Sequence, residues 1–385
     1  MRKAARVLTP VRSVLNAVLQ IGKLPGTMMK PKEFSALAGR LLSCPTAPYH
    51  EADVRTAVEK ICAENNLTCR RDRFGNLIVR LQSAPAQRPL VLAAHLDHPG
   101  FEIVRSLAPN RWLARFLGGV PDHYFREGIP LRLLPGATPA TLGKRPGKEK
   151  QFEVFTRQLN PPAPAFAVWE LVDFAVEGEL IHGRACDDLI GVAAILATMI
   201  ELKRSKARVN VIGVISRAEE VGFHGALCVA NSRVIPKSSL VISLETSREL
   251  PPAKMGQGII LRVGDRTSIF DSEATRFLSE VAGDLHRKHA SFKFQRALMG
   301  GGTCEATAYQ EFGFQTAAVC IALGNYHNCR EDEQIAAEFV NVSDACGMVR
   351  LLVEAARQMR SYSKLTAKLP MRLQGMLKAA RQALR

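Results

Sequence analysis

Four apolar runs limit the architecture of this chain more than any other feature: Pro89-Leu-Val-Leu-Ala-Ala94, Asn210-Val-Ile-Gly-Val-Ile215, Ser239-Leu-Val-Ile-Ser-Leu244 and Thr316-Ala-Ala-Val-Cys-Ile-Ala-Leu323. A strand with one solvated face alternates apolar and polar residues, whereas runs this continuous mark strands covered on both faces. Helical periods lie between them, over 51–66 and again after Asp188, where Ile190, Ala194, Ile195 and Met199 share one side. The pattern predicts an α/β fold with a mostly parallel central sheet flanked by helices. Residues 105–179 break it, with clustered prolines and glycines between short apolar segments, and read as an inserted small β domain, barrel-like. The expected division is a basic extension over 1–30, a catalytic α/β domain over 31–104 and 180–355, the insert over 105–179, and a basic amphipathic tail over 356–385.

The net charge of +16 suggests nucleic acid until it is located. Residues 1–30 and 355–385 together supply 14 of those charges and contain no acid, so the middle of the chain is near neutral. A basic groove through the fold is therefore not expected, and neither is nucleic-acid binding. Each end carries a helical apolar stripe: Val11, Val14, Leu15 and Val18 after Thr9-Pro10, and Leu369, Leu373, Met376, Leu377, Ala380 and Leu384. Such helices either make peripheral contact with an anionic membrane or pack on the protein's own body or a neighbouring subunit.

Nine cysteines without a CxxC pair point to free thiols in a reducing cytoplasm rather than a disulfide framework. No apolar run reaches membrane-spanning length, and no secretory signal with a cleavage site is visible.

Acids and imidazoles cluster where these strands end. His95 and Asp97 follow the first strand, Glu219 and Glu220 the second, Glu245 the third and His327 the fourth, while Asp187-Asp188 opens a helix. Carboxyl ends of strands are where open α/β sheets collect their chemistry. Taken singly, each has a plainer explanation: Asp187-Asp188 as a helix cap, Glu219-Glu220 as a solvated turn, His327 as a packed histidine. Five distant segments delivering carboxylate or imidazole to one edge point instead to metal-assisted hydrolysis.

The motifs resemble those of a known family. His95-Leu-Asp-His-Pro-Gly-Phe101 is similar to its His-x-Asp-x-x-Gly-Phe segment, and Arg184-Ala-Cys-Asp-Asp-Leu-Ile-Gly191 to its Asp-Asp-x-x-Gly. Glu219-Glu-Val-Gly-Phe-His-Gly225, Gly300-Gly-Gly-Thr303 and Asp72-Arg-Phe-Gly-Asn76 resemble three more. The family is that of the tetrahedral and glutamyl aminopeptidases and so-called cellulase M, among the co-catalytic zinc exopeptidases. Spacing favours this branch, because the insert falls in the 92 positions separating His95 from Asp187. The carboxypeptidase- and deacylase-like branch places its extra domain later, between the third carboxylate and the last histidine.

The resemblance implies a dinuclear aminopeptidase acting on peptides, usually as a homo-oligomer. His95, Asp187 and Glu245 would hold one divalent ion and Asp187, Glu220 and His327 a second, with zinc favoured over cobalt or manganese. Asp97 would accept a hydrogen bond from His95, and Glu219 would be the general base. The sequence departs from the family pattern at Glu245 (usually Asp), Leu189 (often Arg), Cys304-Glu305 (commonly Asp) and His327-Asn-Cys (usually His-Ser-Pro). Two other readings stay open: an amidohydrolase or deacylase of N-acyl amino acids using the same site, and a non-catalytic, membrane-associated scaffold with a vestigial site.

Overall fold

The structure is a computed structural model and describes residues 28–384 apart from Lys148 and Asn160. The stripe expected over Val11–Val18 lies outside the described residues. The chain begins with helices α1 (Pro31–Leu42) and α2 (Ala52–Glu64), then strands β1 (Thr68–Arg71), β2 (Leu77–Gln82) and β3 (Leu90–His95). A six-stranded unit follows: β4 (Gly100–Ala108), β5 (Arg111–Leu117), β6 (Pro130–Leu134), β7 (Thr138–Leu142), β8 (Gln151–Phe155) and β9 (Phe166–Trp169). The chain then returns through β10 (Ala175–Glu177), β11 (Leu180–Gly183), α3 (Cys186–Arg204), β12 (Asn210–Ser216), α4 (His224–Ala230) and β13 (Leu240–Arg248). It continues with β14 (Ile259–Gly264), α5 (Ser272–Lys288), β15 (Phe294–Leu298), α6 (Glu305–Glu311), β16 (Gln315–Gly324) and β17 (Glu338–Asn341). Helices α7 (Val342–Gln358), α8 (Tyr362–Thr366) and α9 (Lys368–Ala383) close it.

The four apolar runs form the centre of an 11-stranded sheet as neighbours β12-β3-β13-β16, all parallel. Antiparallel pairs flank them, β2 on β12 at one side and β14 and β17 on β16 at the other, so the whole sheet is mixed. Alternation along the strands sends side chains to opposite faces. Leu90, Leu92 and Ala94 join one core with α1, α3, α5 and α7, whereas Val91 and Ala93 join another with α4 and α6. Helix α3 is buried from Cys186 to Leu202. A helix apolar on all sides is stable only where protein surrounds it, and α3 lies between the sheet and helices α1 and α7.

The β insert is a closed barrel in the order β4-β5-β8-β7-β6-β9. Its interior is aromatic, with Phe101, Trp112, Phe116, Phe152 and Trp169 buried together. Phe101 meets Trp169 edge to face at 4.9 Å, a favoured quadrupole arrangement. Its limits differ from the expected 105–179. β4 already belongs to the barrel from Gly100, while β10 pairs with β11 in the main sheet. Glycine and proline mark loops rather than the strand at which a chain changes sheets.

Candidate metal centre

The ends of β3, β12 and β16, the start of α3 and the body of β13 place their polar side chains in one buried cluster. His95, Glu219 and Glu245 offer ligand atoms within 4.8 Å of one another, and so do Asp187, Glu220 and His327. Asp187 faces both groups. Its Oδ1 lies 3.5 Å from His95 Nε2 and its Oδ2 lies 3.7 Å from His327 Nε2. His327 Nε2 is also 3.2 Å from Glu220 Oε1, and His95 Nε2 is 3.9 Å from Glu219 Oε2. All seven residues singled out in the sequence therefore meet at one place. Glu245 does so from within β13, which runs on to Arg248 rather than stopping at Leu244.

Both imidazoles are set in the same way. His95 Nδ1 donates to the Asp97 carbonyl at 3.1 Å, and His327 Nδ1 donates to the Gly119 carbonyl at 3.0 Å. A proton fixed on Nδ1 leaves the Nε2 lone pair directed into the cluster, the tautomer a metal ligand needs. Gly119 follows barrel strand β5, so the inserted domain completes the setting of His327.

The role expected of Asp97 needs correcting. Its carboxylate does not accept a hydrogen bond from His95, whose Nδ1 stands 3.7 Å from Oδ1. Instead Oδ1 accepts from the Glu219 N–H at 2.9 Å and Oδ2 from the Glu220 N–H at 3.0 Å. Asp97 thus holds the Glu219-Glu220 turn by its backbone. Spacing within a motif could not distinguish a carboxylate from a carbonyl as the partner of His95.

Other residues brace the same turn. Glu51 is fully buried and accepts from Arg217 Nε at 2.8 Å and from the Ala218 N–H at 3.2 Å. Asn76 Oδ1 accepts from the Arg217 N–H at 3.1 Å. These contacts explain the last glycine of Glu219-Glu-Val-Gly-Phe-His-Gly225, since a Cβ at Gly225 would collide with Asn76 Oδ1 and the Arg217 backbone. In Asp187-Asp-Leu-Ile-Gly191 the two acids divide their labour. Asp188 Oδ1 accepts from the Gly191 N–H at 3.2 Å as a helix-start cap does, and a Cβ on Gly191 would collide with that carboxylate. Asp187 is left for the cluster.

Glu338 and His98 were not found from the sequence. Glu338, in β17, accepts from the Asp187 N–H at 2.9 Å and the His327 N–H at 2.8 Å. His98 bridges the Asp187 carbonyl at 2.9 Å and Asn328 Oδ1 at 3.0 Å. For His98 a signal existed, its place inside the His95–Phe101 motif, whereas nothing marks a single glutamate in a short strand. Two departures also acquire positions. Cys304 lines the pocket, and Glu305 is buried, its Oε1 accepting from the Ser216 hydroxyl while Oε2 lacks a partner among the described residues.

The electrostatics suit a cation site. Burial and neighbouring acids push Glu245 up to about 8, and burial raises Glu219 well above the carboxylate range although His95 opposes it. Burial disfavours the charged form of His327, yet Glu220 and Asp187 outweigh it and raise the imidazole to about 9. Asp187 Oδ1 and Glu245 Oε1 are buried without a hydrogen-bond partner among the described residues. Buried carboxylate oxygens are costly unless paired or bound to a metal, so the donors present fit a divalent cation.

Beside the cluster lies a pocket of about 350 Å³ lined also by Arg248, Leu250, Met299, Gly302, Thr303 and Tyr326. Among the described residues no helix is long and apolar enough to cross a membrane.

Residues 166–339 match the M42 glutamyl aminopeptidase family. The fold is similar to that of the TET1 peptidase of Pyrococcus horikoshii, with 19% identity, 84% of this chain and 99% of that chain covered, and a TM-score of 0.69. It also resembles an aminopeptidase from the archaeon Desulfurococcus kamchatkensis (18% identity, 87% and 98% covered, TM-score 0.72). An M18-family aminopeptidase from Thermotoga maritima is more distant (14% identity, 84% and 95% covered, TM-score 0.59). No curated protein matches the sequence. M42 metallopeptidases use divalent metals, and the family match supports a hydrolytic, metal-dependent aminopeptidase.

Proposed function

We propose, from the M42 match over residues 166–339, that this chain removes N-terminal residues from peptides with two divalent cations, zinc by the chemistry of its mixed oxygen and nitrogen donors. The observation that carries the reading is Asp187, whose two carboxylate oxygens face His95 and His327 separately. His95, Asp187 and Glu245 would hold one cation, and Asp187, Glu220 and His327 would hold the other. When bound, such cations supply Lewis acidity toward the scissile carbonyl and the attacking water.

The protein's own groups do the rest. Glu219 takes a proton from the attacking water and delivers one to the leaving amine. Burial of Glu219 raises its affinity for that proton, which favours the carboxyl as a carrier near neutrality. Asp97, bonded to the backbones of Glu219 and Glu220, keeps base and ligand in fixed register. The pocket walled by Arg248, Leu250 and Met299 receives the side chain of the residue removed.

The TET1 peptidase assembles into a tetrahedron or a large octahedral shell. Likeness to its fold supports a homo-oligomer here as well. Nine unpaired cysteines among the described residues support a reducing, cytoplasmic setting.

Aminoacyl amides and N-acyl amino acids, assayed side by side after zinc or cobalt loading, test the reaction. Hydrolysis of the free-amine substrates alone is expected. Cleavage confined to the acylated ones would make the protein a deacylase, and a Glu219→Gln variant as active as the parent would remove Glu219 from its role.

A further inference from the structure

We propose that α9 is a docking surface for an anionic lipid bilayer, lying in its headgroup region with the apolar stripe turned inward. No residue of this 16-residue helix is buried, although it carries Leu373, Met376 and Leu377, each more than half exposed, with Leu384 just beyond at 87%. Among the described residues, helices α1, α5 and α7 bury their apolar stripes in the core.

Among the described residues, the contacts that hold the helix gather at its base. Tyr362 packs on Phe277 with ring centres 5.0 Å apart, Arg276 donates to the Thr366 carbonyl at 3.1 Å, and Lys368 pairs with Glu280 at 2.7 Å. Beyond that anchor the stripe faces outward on a firmly seated stem.

Charge selects the occupant. After Glu354 the chain contains eight Lys or Arg and no acid. At the helical repeat, Arg372 and Arg381 fall roughly 90° to either side of the stripe and Lys378 roughly opposite it. This is the layout of a helix lying at a membrane interface, with cations at headgroup level and leucines among the upper acyl carbons. A second copy's α9 would bring the same acid-free charge, as would residues 1–30 of the same chain, which hold six Lys or Arg. Like charges flanking both apolar faces oppose either pairing. A surface that is at once anionic and apolar beneath matches both features.

Flotation of the full-length protein with phosphatidylcholine vesicles, and with vesicles in which about a third of the lipid is phosphatidylglycerol, tests this directly. Expected are binding to the anionic vesicles only, weakening in high salt, and at least a tenfold loss in a Leu373→Asp/Leu377→Asp variant whose circular dichroism is unchanged. Absence of the wild-type protein from the anionic vesicle fraction overturns the proposal, as does equal flotation of the variant. Loss of assembly in the variant by light scattering, with no flotation of the parent, assigns the stripe to a subunit contact instead. Activity enters none of these binding outcomes, so they stand apart from the peptidase assignment.

Discussion

Glu338→Gln probes how the two halves of the metal cluster are held together. Glu338 is fully buried, and its two oxygens accept the N–H groups of Asp187 and His327, residues 140 positions apart in the chain. The amide keeps the shape of the side chain but offers one acceptor, and its NH2 must confront the other N–H. Burial and the nearby Asp187 carboxylate raise Glu338 well above the usual carboxylate range, so a neutral side chain there costs the metal-free protein less than it would at an ordinary carboxylate. Cations beside Asp187 would favour the ionised form, so the penalty should fall on metal binding rather than on folding. Loss of a group orienting metal ligands typically costs about 10- to 100-fold in affinity, or about 1.4–2.7 kcal/mol. Zinc competition against a chromogenic chelator, paired with urea denaturation of the metal-free protein, separates the two effects. Zinc affinity within about twofold of the parent, with unchanged stability, would refute the reasoning.

Three further outcomes follow from the same geometry. In Asp97→Asn only one of the Glu219 and Glu220 N–H groups keeps an acceptor, and kcat should fall by about 100-fold with KM little altered; an unchanged kcat would mean that the turn holds itself. Because Glu245 near 8 and His327 near 9 hold protons at pH 7 without cations, and neighbouring carboxylates raise His95 against the effect of its burial, metal loading should release at least two protons, measurable by calorimetry in buffers of different ionisation enthalpy. Burial raises Glu305 to about 7, so its contribution to stability is complete below the ordinary carboxylate pKa and is lost as pH rises toward 7. The metal-free parent should therefore lose on the order of 3 kcal/mol more than Glu305→Gln between pH 4.5 and 7 in parallel denaturant titrations, and equal losses would contradict this.

The central sheet and all seven cluster residues were legible in the sequence, because continuous apolar runs and chemistry-bearing motifs are local patterns. Strands buried on both faces must read as unbroken Val, Ile and Leu, and polar groups at their carboxyl ends collect at one edge of the sheet. Partners distant along the chain were not legible. That the Asp97 carboxylate holds the Glu219-Glu220 backbone, leaving the His95 ring to the Asp97 carbonyl, depends on how the ends of β3 and β12 lie side by side. That Glu338 joins Asp187 to His327 depends on β17 pairing with both β11 and β16. The limits of the barrel and the open face of α9 belong to the same class. Residue types and periods are properties of a segment, whereas the partner of a buried carboxylate, or the lack of one for an apolar stripe, is settled only when segments far apart along the chain are packed together.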